Sequence, residues 1–130
     1  MNSLMEVFSI KIKIKSTLKN INENTCEQAE IYAIKNKDKI TYIINNTTYK
    51  IEIKNKKISV IRENEDFIHI FNFDIDKITK SEYYIKELNT SIEVLVKTNN
   101  LELSDKNIKI AYEIVDNNEK YVYNLDLEWT

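Results

Sequence analysis

The feature that most constrains the fold is an alternating, β-forming stretch at residues 40–73, which is interrupted by three polar breaks that each begin with asparagine. The breaks are Asn45-Asn46, Asn55-Lys56 and Asn64-Glu65. Two-residue hairpin turns need residues that tolerate positive φ, and asparagine takes this role readily. The chain contains no glycine and no proline, so asparagine has to stand where glycine is usual. The stretch therefore predicts four antiparallel strands joined by three tight turns.

Turns of this length predict which residues face one another on neighbouring strands. Tyr42 faces Tyr49, and Tyr49 faces Arg62 on the following strand. A third two-residue turn would bring Phe67 opposite Arg62. Because side chains alternate between faces with period two, these residues share one face of the sheet. Slippage by one residue would expose that face, at about 1.5–3 kcal/mol for each large apolar side chain.

A further strand is expected at residues 26–35, with Tyr32 at one of its alternate positions. A three-residue loop at residues 36–38 would bring Tyr32 opposite Tyr42. The inner face then carries a row of aromatic side chains and one arginine. Its members are Tyr32, Tyr42, Tyr49, Arg62 and Phe67.

Alternating apolar positions predict strands along the rest of the chain as well. Residues 7–15 alternate strictly and form the first strand, with Phe8 on its apolar face. Residues 74–80 form the one connection long enough to cross an end of the sheet. Two-residue turns are expected at residues 88–89 and 117–118. The apolar phase changes at residues 99–100, which predicts a β-bulge or a corner.

About ten short antiparallel strands without a convincing helical segment predict a sandwich or a closed barrel. Because most strands connect to their neighbour through a short turn, the sequence favours an all-β, antiparallel up-and-down β-barrel of about eight to ten strands. Closure also removes strand edges, which a chain without proline has few means to protect. With 130 residues, 42% of them hydrophobic, we expect a single barrel domain covering residues 1–130.

The composition excludes several classes of function. A net charge of -2 gives no positive field that would recruit nucleic acid or an anionic membrane. Without glycine the chain has no glycine-rich phosphate loop. Cys26 is the single cysteine, so no intrachain disulfide forms. No secretory signal or membrane-spanning run is visible, and a cytoplasmic location is expected.

The order of these features resembles the YwiB-like bacterial family, small calycin-type or lipocalin-like β-barrels of unknown function. The resemblance covers residues 10–127. It is carried by the Lys/Ile alternation of the first strand, the Tyr32 and Tyr42 hairpin, KISVIRENEDFIHIF, Tyr83-Tyr84 before SIEVLVKTNNLEL, and the closing IKIAYEI and YNLDLEW. No catalytic motif is among these segments. The resemblance implies a calycin-like barrel and leaves the function open.

The aromatic row has two interpretations. It lines a pocket in which Arg62 meets an anionic head group and the tyrosines hold an apolar body. Alternatively, the barrel is filled by its own side chains, as small barrels can be. The first predicts a binding module for a small apolar or amphipathic ligand. The second favours a protein-interaction or structural module that acts through its outer face.

Three adjacent isoleucines, Ile61, Ile68 and Ile70, are expected on that outer face. Adjacent exposed apolar side chains often mark an interface. We interpret them as a contact either with a second copy of the chain, in a homodimer, or with residues 74–80.

The sequence predicts no enzyme. His69 is the single histidine, expected opposite Val60 as a core residue with a local hydrogen bond. One histidine without a second ligand at suitable spacing does not make a metal site, and no serine or cysteine has an activating partner. We therefore expect no catalytic residues, no metal and no cofactor.

Overall fold

The computed structural model describes residues 9–129, which form ten antiparallel strands. The strands are β1 (Ser9–Asn20), β2 (Thr25–Asn36), β3 (Lys39–Ile44), β4 (Thr47–Lys54), β5 (Lys57–Glu63), β6 (Phe67–Phe73), β7 (Ile78–Ile85), β8 (Thr90–Leu103), β9 (Asn107–Ile114) and β10 (Glu119–Trp129). Within residues 9–129 no helix has the length and apolar character needed to cross a membrane. Phe8, expected on the first strand, lies outside the described residues.

Each strand pairs with its neighbours in sequence, and β1 pairs with β10 to close the sheet into a barrel. This confirms the predicted antiparallel up-and-down β-barrel, at the upper end of the expected strand number. The predicted bulge is also confirmed, since the register between β8 and β9 shifts between Thr98 and Asn100. Closure gives the first and last strands a partner and leaves neither as a terminal edge.

The first two asparagine turns form as predicted. Asn45, Asn46, Asn55 and Lys56 all have positive φ, between 49° and 64°. Positive φ at both central residues is the requirement of the two-residue turn that matches the strand twist. The predicted pairings of Tyr42 with Tyr49 and of Tyr49 with Arg62 follow from these turns.

The third turn is longer than predicted, so the expected pairing of Arg62 with Phe67 is wrong. Arg62 pairs with His69 instead. The side-chain oxygen of Asn64 accepts hydrogen bonds from the backbone N–H groups of Asp66 and Phe67, at 2.8 and 3.1 Å. This asparagine builds the turn with its side chain and not with positive φ. The shift is two residues, so every side chain stays on its predicted face.

The same error affects two other hairpins. Ile85 pairs with Thr90 and Ile114 with Glu119, so both turns contain four residues and not two. Asn89 and Asn118, the last residue of each turn, have positive φ. The side chains that face the inside and the outside of the barrel are nevertheless as predicted, because the register again shifts by two residues.

The hairpin between β2 and β3 is shorter than predicted, and here the error changes the face. Asn36 pairs with Lys39, so the turn contains only Lys37 and Asp38, with φ of 54° at Lys37. A shift of one residue moves Tyr32 to the outer surface. There it is 56% exposed, with Lys11 Nζ 4.4 Å from its ring centroid.

Residues 74–80 do not cross an end of the barrel, contrary to the prediction. Ile78 already begins β7, and the short turn before it is held against β8. Asp76 N–H donates to the Thr98 carbonyl at 2.9 Å, and Ile75 forms an isolated bridge with Thr98.

The two ends of the barrel differ in packing. We call the end with the turns at residues 37–38, 55–56, 74–77 and 104–106 the closed end, and the opposite end the open end. The closed half is filled by side chains that are at most 6% exposed: Ile12, Ile14, Ala33, Ile40, Ile51, Ile58, Phe73, Val96, Ile108, Ile110, Leu125 and Leu127. Eight strands enclose an interior that side chains just fill, so ten strands leave extra volume.

Candidate functional site

A cavity of about 680 Å³ occupies the open half of the barrel. Its wall is rich in aromatic rings from β4, β6, β9 and β10, among them Tyr49, Phe71, Tyr112 and Tyr121. This volume lies within the range of about 300–1,000 Å³ that is usual for small-molecule sites. The barrel is thus filled at one end and hollow at the other, so neither interpretation of the interior holds for its whole length.

A pair of tyrosines forms the boundary between the two halves. The hydroxyl oxygens of Tyr42 and Tyr123 lie 2.6 Å apart, and both side chains are buried. Burial raises the pKa of Tyr42 to about 12 and that of Tyr123 well above its usual range. Both hydroxyls are therefore neutral at physiological pH. Tyr123 faces the cavity, and Tyr42 supports the wall by stacking on Tyr49 with ring centroids 4.9 Å apart.

Arg62 brings a positive charge to this aromatic wall. Its Nη2 donates to Nδ1 of His69 at 2.7 Å, and its guanidinium carbon lies 5.6 Å from the ring centroid of Phe67. Its Nε is buried and has no hydrogen-bond partner in the described chain. None of the salt bridges among residues 9–129 involves Arg62. The cavity therefore holds a half-buried cation without a carboxylate to balance it.

His69 is neutral and has a defined tautomer. Burial, and then the charge of Arg62, lower its pKa from 6.5 to about 4. Because a guanidinium group only donates, Nδ1 must be the acceptor and the ring hydrogen sits on Nε2. The ring packs against Phe71, with centroids 4.0 Å apart, and lines the cavity. His69 thus offers an N–H donor next to the Arg62 cation. The predicted core histidine with a local hydrogen bond is present, opposite Arg62 and not Val60.

The structure brings together part of the predicted aromatic row. Tyr49 and Arg62 line the cavity, while Tyr42 lies behind its wall. Phe67 is on the inner face beside Arg62 and stacks on Tyr83, with centroids 5.3 Å apart. Tyr32 does not belong to the site, because the shorter turn puts it on the outer surface.

Sequence reasoning missed the contribution of His69 to the wall. The signal was the Asn64-Glu65-Asp66 sequence, in which an asparagine side chain caps a longer turn. That turn length would have set His69 opposite Arg62.

At the open end the cavity rim carries two carboxylates. Tyr121 lines the cavity, and its hydroxyl donates to Oε2 of Glu119. This hydrogen bond, more than burial, raises the pKa of Tyr121 to about 12. Glu27 of β2 also borders the cavity and is exposed. The negative charges are thus at the mouth, whereas the Arg62 cation lies on the inner wall.

The outer isoleucines form a contiguous group. Ile61 pairs with Ile70, Ile68 is on the same outer face opposite Tyr84, and all three isoleucines are half-buried. The turn before β7 is held against β8 by backbone hydrogen bonds. Both versions of the interface hypothesis, the contact with residues 74–80 and the homodimer, remain predictions. Elsewhere in residues 9–129, no three His, Cys, Asp or Glu side chains are grouped in a way that could hold a metal ion.

Comparisons with known proteins support the fold alone. No family model matches the chain, and no curated protein matches it. Among solved structures it is similar to the crystal structure of the ywiB protein from Bacillus subtilis, with a TM-score of 0.69 and 13% sequence identity. The match covers 95% of this chain and 92% of that one. The chain therefore has a YwiB-like β-barrel fold.

Proposed function

We propose that the protein binds a small amphipathic molecule with one anionic group in the open half of the barrel. The apolar part of the ligand packs against the aromatic wall, and the anionic group pairs with Arg62. The observation that carries this proposal is the cation itself: Arg62 lines an aromatic cavity without a carboxylate partner in the described chain.

The energetic argument starts from the cost of an unbalanced charge. A cation withdrawn from water is costly unless it is paired and hydrogen-bonded. His69 accepts one hydrogen bond from Arg62 but is neutral, so it supplies no compensating charge. A ligand anion would supply that charge, and a guanidinium group can bind a carboxylate or a similar oxyanion through two parallel hydrogen bonds.

The surroundings of Arg62 suggest the form of the ligand. The His69 Nε2–H adds a neutral donor beside the cation. The rings of Tyr49 and Phe71 offer flat apolar surfaces, which favour an aromatic or planar body. Binding of this kind needs no proton transfer, in keeping with the prediction that the protein is not an enzyme.

The proposal is tested with two matched probes, 8-anilinonaphthalene-1-sulfonate, which is anionic, and N-phenyl-1-naphthylamine, which has the same rings and no charge. Arg62→Met is expected to weaken binding of the sulfonate at least tenfold, about 1.4 kcal/mol, while the neutral probe changes less than threefold. Lys50→Met removes an exposed cation of the outer face and is the control. Equal affinity of the sulfonate for the wild type and Arg62→Met would exclude Arg62 from the site.

A second candidate is a protein-interaction module that uses the outer face. It is supported by the contiguous group formed by Ile61, Ile68 and Ile70, since adjacent apolar side chains on an outer face often mark an interface. The calycin-type assignment and the cytoplasmic location likewise remain proposals.

A further inference from the structure

The barrel wall is incomplete between β2 and β3. These strands pair only near the closed end, at Asn36 with Lys39, Lys35 with Ile40 and Ile34 with Thr41. Towards the open end, residues 25–33 pair with β1 alone and residues 42–44 pair with β4 alone. Within the described chain no hydrogen bond joins these two segments. We call this opening the seam.

Strands β6 and β7 also stop pairing before their ends, but there side-chain hydrogen bonds close the gap. The pairing of β6 with β7 ends at Ile70 and Glu82. Beyond that point Asn72 N–H donates to Ser81 Oγ at 3.2 Å, Asn72 Nδ2 donates to the Lys80 carbonyl at 3.0 Å, and Thr79 Oγ1 donates to the Asn72 carbonyl at 2.5 Å. Side chains thus bridge that gap, whereas the seam has no such bridge.

The cavity reaches the seam. Ala29 and Gln28 of β2 border it on one side, and Ile44 and Asn45 border it on the other. Gln28 pairs with Thr17 on the outer face of the sheet, yet it also lines the cavity. The cavity is thus bordered by β2 and β3 at the level where no hydrogen bond joins them. It therefore extends to the seam.

The strand edges along the seam are unsuited to pairing with another chain. β3 is short, Glu27 points inward from the free edge of β2, and Glu30 is exposed on the same edge. Short edge strands and inward-pointing charges are devices that prevent strand addition. These features favour a passage for a small molecule over a docking site for an extended peptide.

We infer that the seam is the portal through which the ligand enters the barrel, an inference that rests on the proposed function. The ligand passes between Gln28 and Ile44, and its anionic group then reaches Arg62. Because a portal acts on entry and exit alike, obstructing it slows both steps and leaves the equilibrium affinity unchanged.

The test is a chemical staple across the seam. In a Cys26→Ser background, Glu30→Cys and Ile43→Cys introduce two exposed cysteines on opposite sides of the seam, which a short bis-maleimide linker can join. Thr48→Cys with Glu63→Cys is the control, because these residues face one another on the fully paired strands β4 and β5 at the same end. Binding of 8-anilinonaphthalene-1-sulfonate is followed by stopped-flow fluorescence.

Stapling the seam is expected to lower both the association and the dissociation rate constants at least tenfold, with an unchanged Kd and no change in the control. Unchanged rates with the staple in place would overturn the portal and direct entry to the open end. If the linker does not join the cysteines, Gln28→Trp should slow both rates at least threefold, whereas Thr48→Trp, on the fully paired strand β4, should not. Equal rates in both would also overturn it. Failure of the proposed function gives a different result, namely sulfonate binding that does not depend on Arg62 before any staple is added.

Discussion

Replacing Arg62 and His69 together by apolar residues should make the protein more stable and abolish its preference for an anionic ligand. The double variant Arg62→Met/His69→Phe removes a half-buried cation, its unsatisfied Nε and the hydrogen bond between the two side chains. A buried donor without a partner costs about 1–3 kcal/mol, and the unbalanced charge adds to this cost. The lost hydrogen bond, which involves a charged group, contributed about 1.5–3 kcal/mol.

The apolar replacements add packing against the rings of Phe71 and Phe67, which already surround the pair. The balance favours the double variant by about 1–2 kcal/mol, because removing both partners of a hydrogen bond leaves no unsatisfied group. His69→Phe alone should instead destabilise by about 1–3 kcal/mol, since it leaves Arg62 without any hydrogen-bond partner.

Urea unfolding of the wild type, the two single variants and the double variant measures these effects and the coupling between the side chains. With a denaturant slope of about 2 kcal/mol per M, the midpoint of the double variant should rise by about 0.5–1 M. A double variant that is less stable than the wild type would refute the reasoning. It would mean that the charge and the hydrogen-bond donors of Arg62 are already compensated within the protein, so that Arg62 does not need an anionic ligand.

Three other predictions concern the pH response, a turn and the outer face. The unfolded chain protonates His69 near pH 6.5, whereas the folded chain protonates it only near pH 4. As the pH is lowered from 6.5 to 4, the wild type should therefore lose up to about 3 kcal/mol more of its free energy of unfolding than His69→Gln does. Urea unfolding at each pH measures this difference. Lys56 has φ of 64°, so Lys56→Gly should raise the thermal midpoint through a gain of about 0.5–1 kcal/mol; Lys54→Gly, within a strand, should lower it. Ile68→Glu should convert a homodimer into a monomer in sedimentation experiments, and a wild-type protein that is already monomeric would contradict this interface.

The sequence predicted the correct face of a strand wherever the error in turn length was an even number of residues, and the wrong face where the error was odd. Asn64 builds its turn with a side-chain cap, so the turn is longer by an even number of residues and the inner face stays correct. At the hairpin of β2 and β3 the sequence offers Asn36 and Asp38 as the natural turn formers, yet Lys37 adopts the positive φ. Lysine in this conformation carries no sequence signal, so the odd shift and the exposure of Tyr32 could not be foreseen.

The cavity could not be predicted from the alternation of apolar and polar residues, because alternation does not show how fully the side chains fill the barrel interior. Period-two patterning assigns a residue to the inside of a barrel, but whether the inside is full depends on the number of strands and on side-chain size along the axis. The closed half is lined mainly by isoleucine and leucine, which interdigitate and exclude solvent. Towards the open end, the inner positions of β4, β5 and β6 carry Tyr49, Arg62 and His69.

The division into a filled half and a hollow half explains how one small barrel can tolerate an unbalanced charge. The buried side chains of the closed half supply apolar burial that offsets the cost at Arg62, although one of them, Phe73, also borders the cavity. The neutral pair Tyr42 and Tyr123 separates the two halves, because both hydroxyls are buried and each is a hydrogen-bond partner of the other. The open half is therefore free to keep a cation, a neutral imidazole and an incomplete wall, three features that would each weaken a barrel built only for stability.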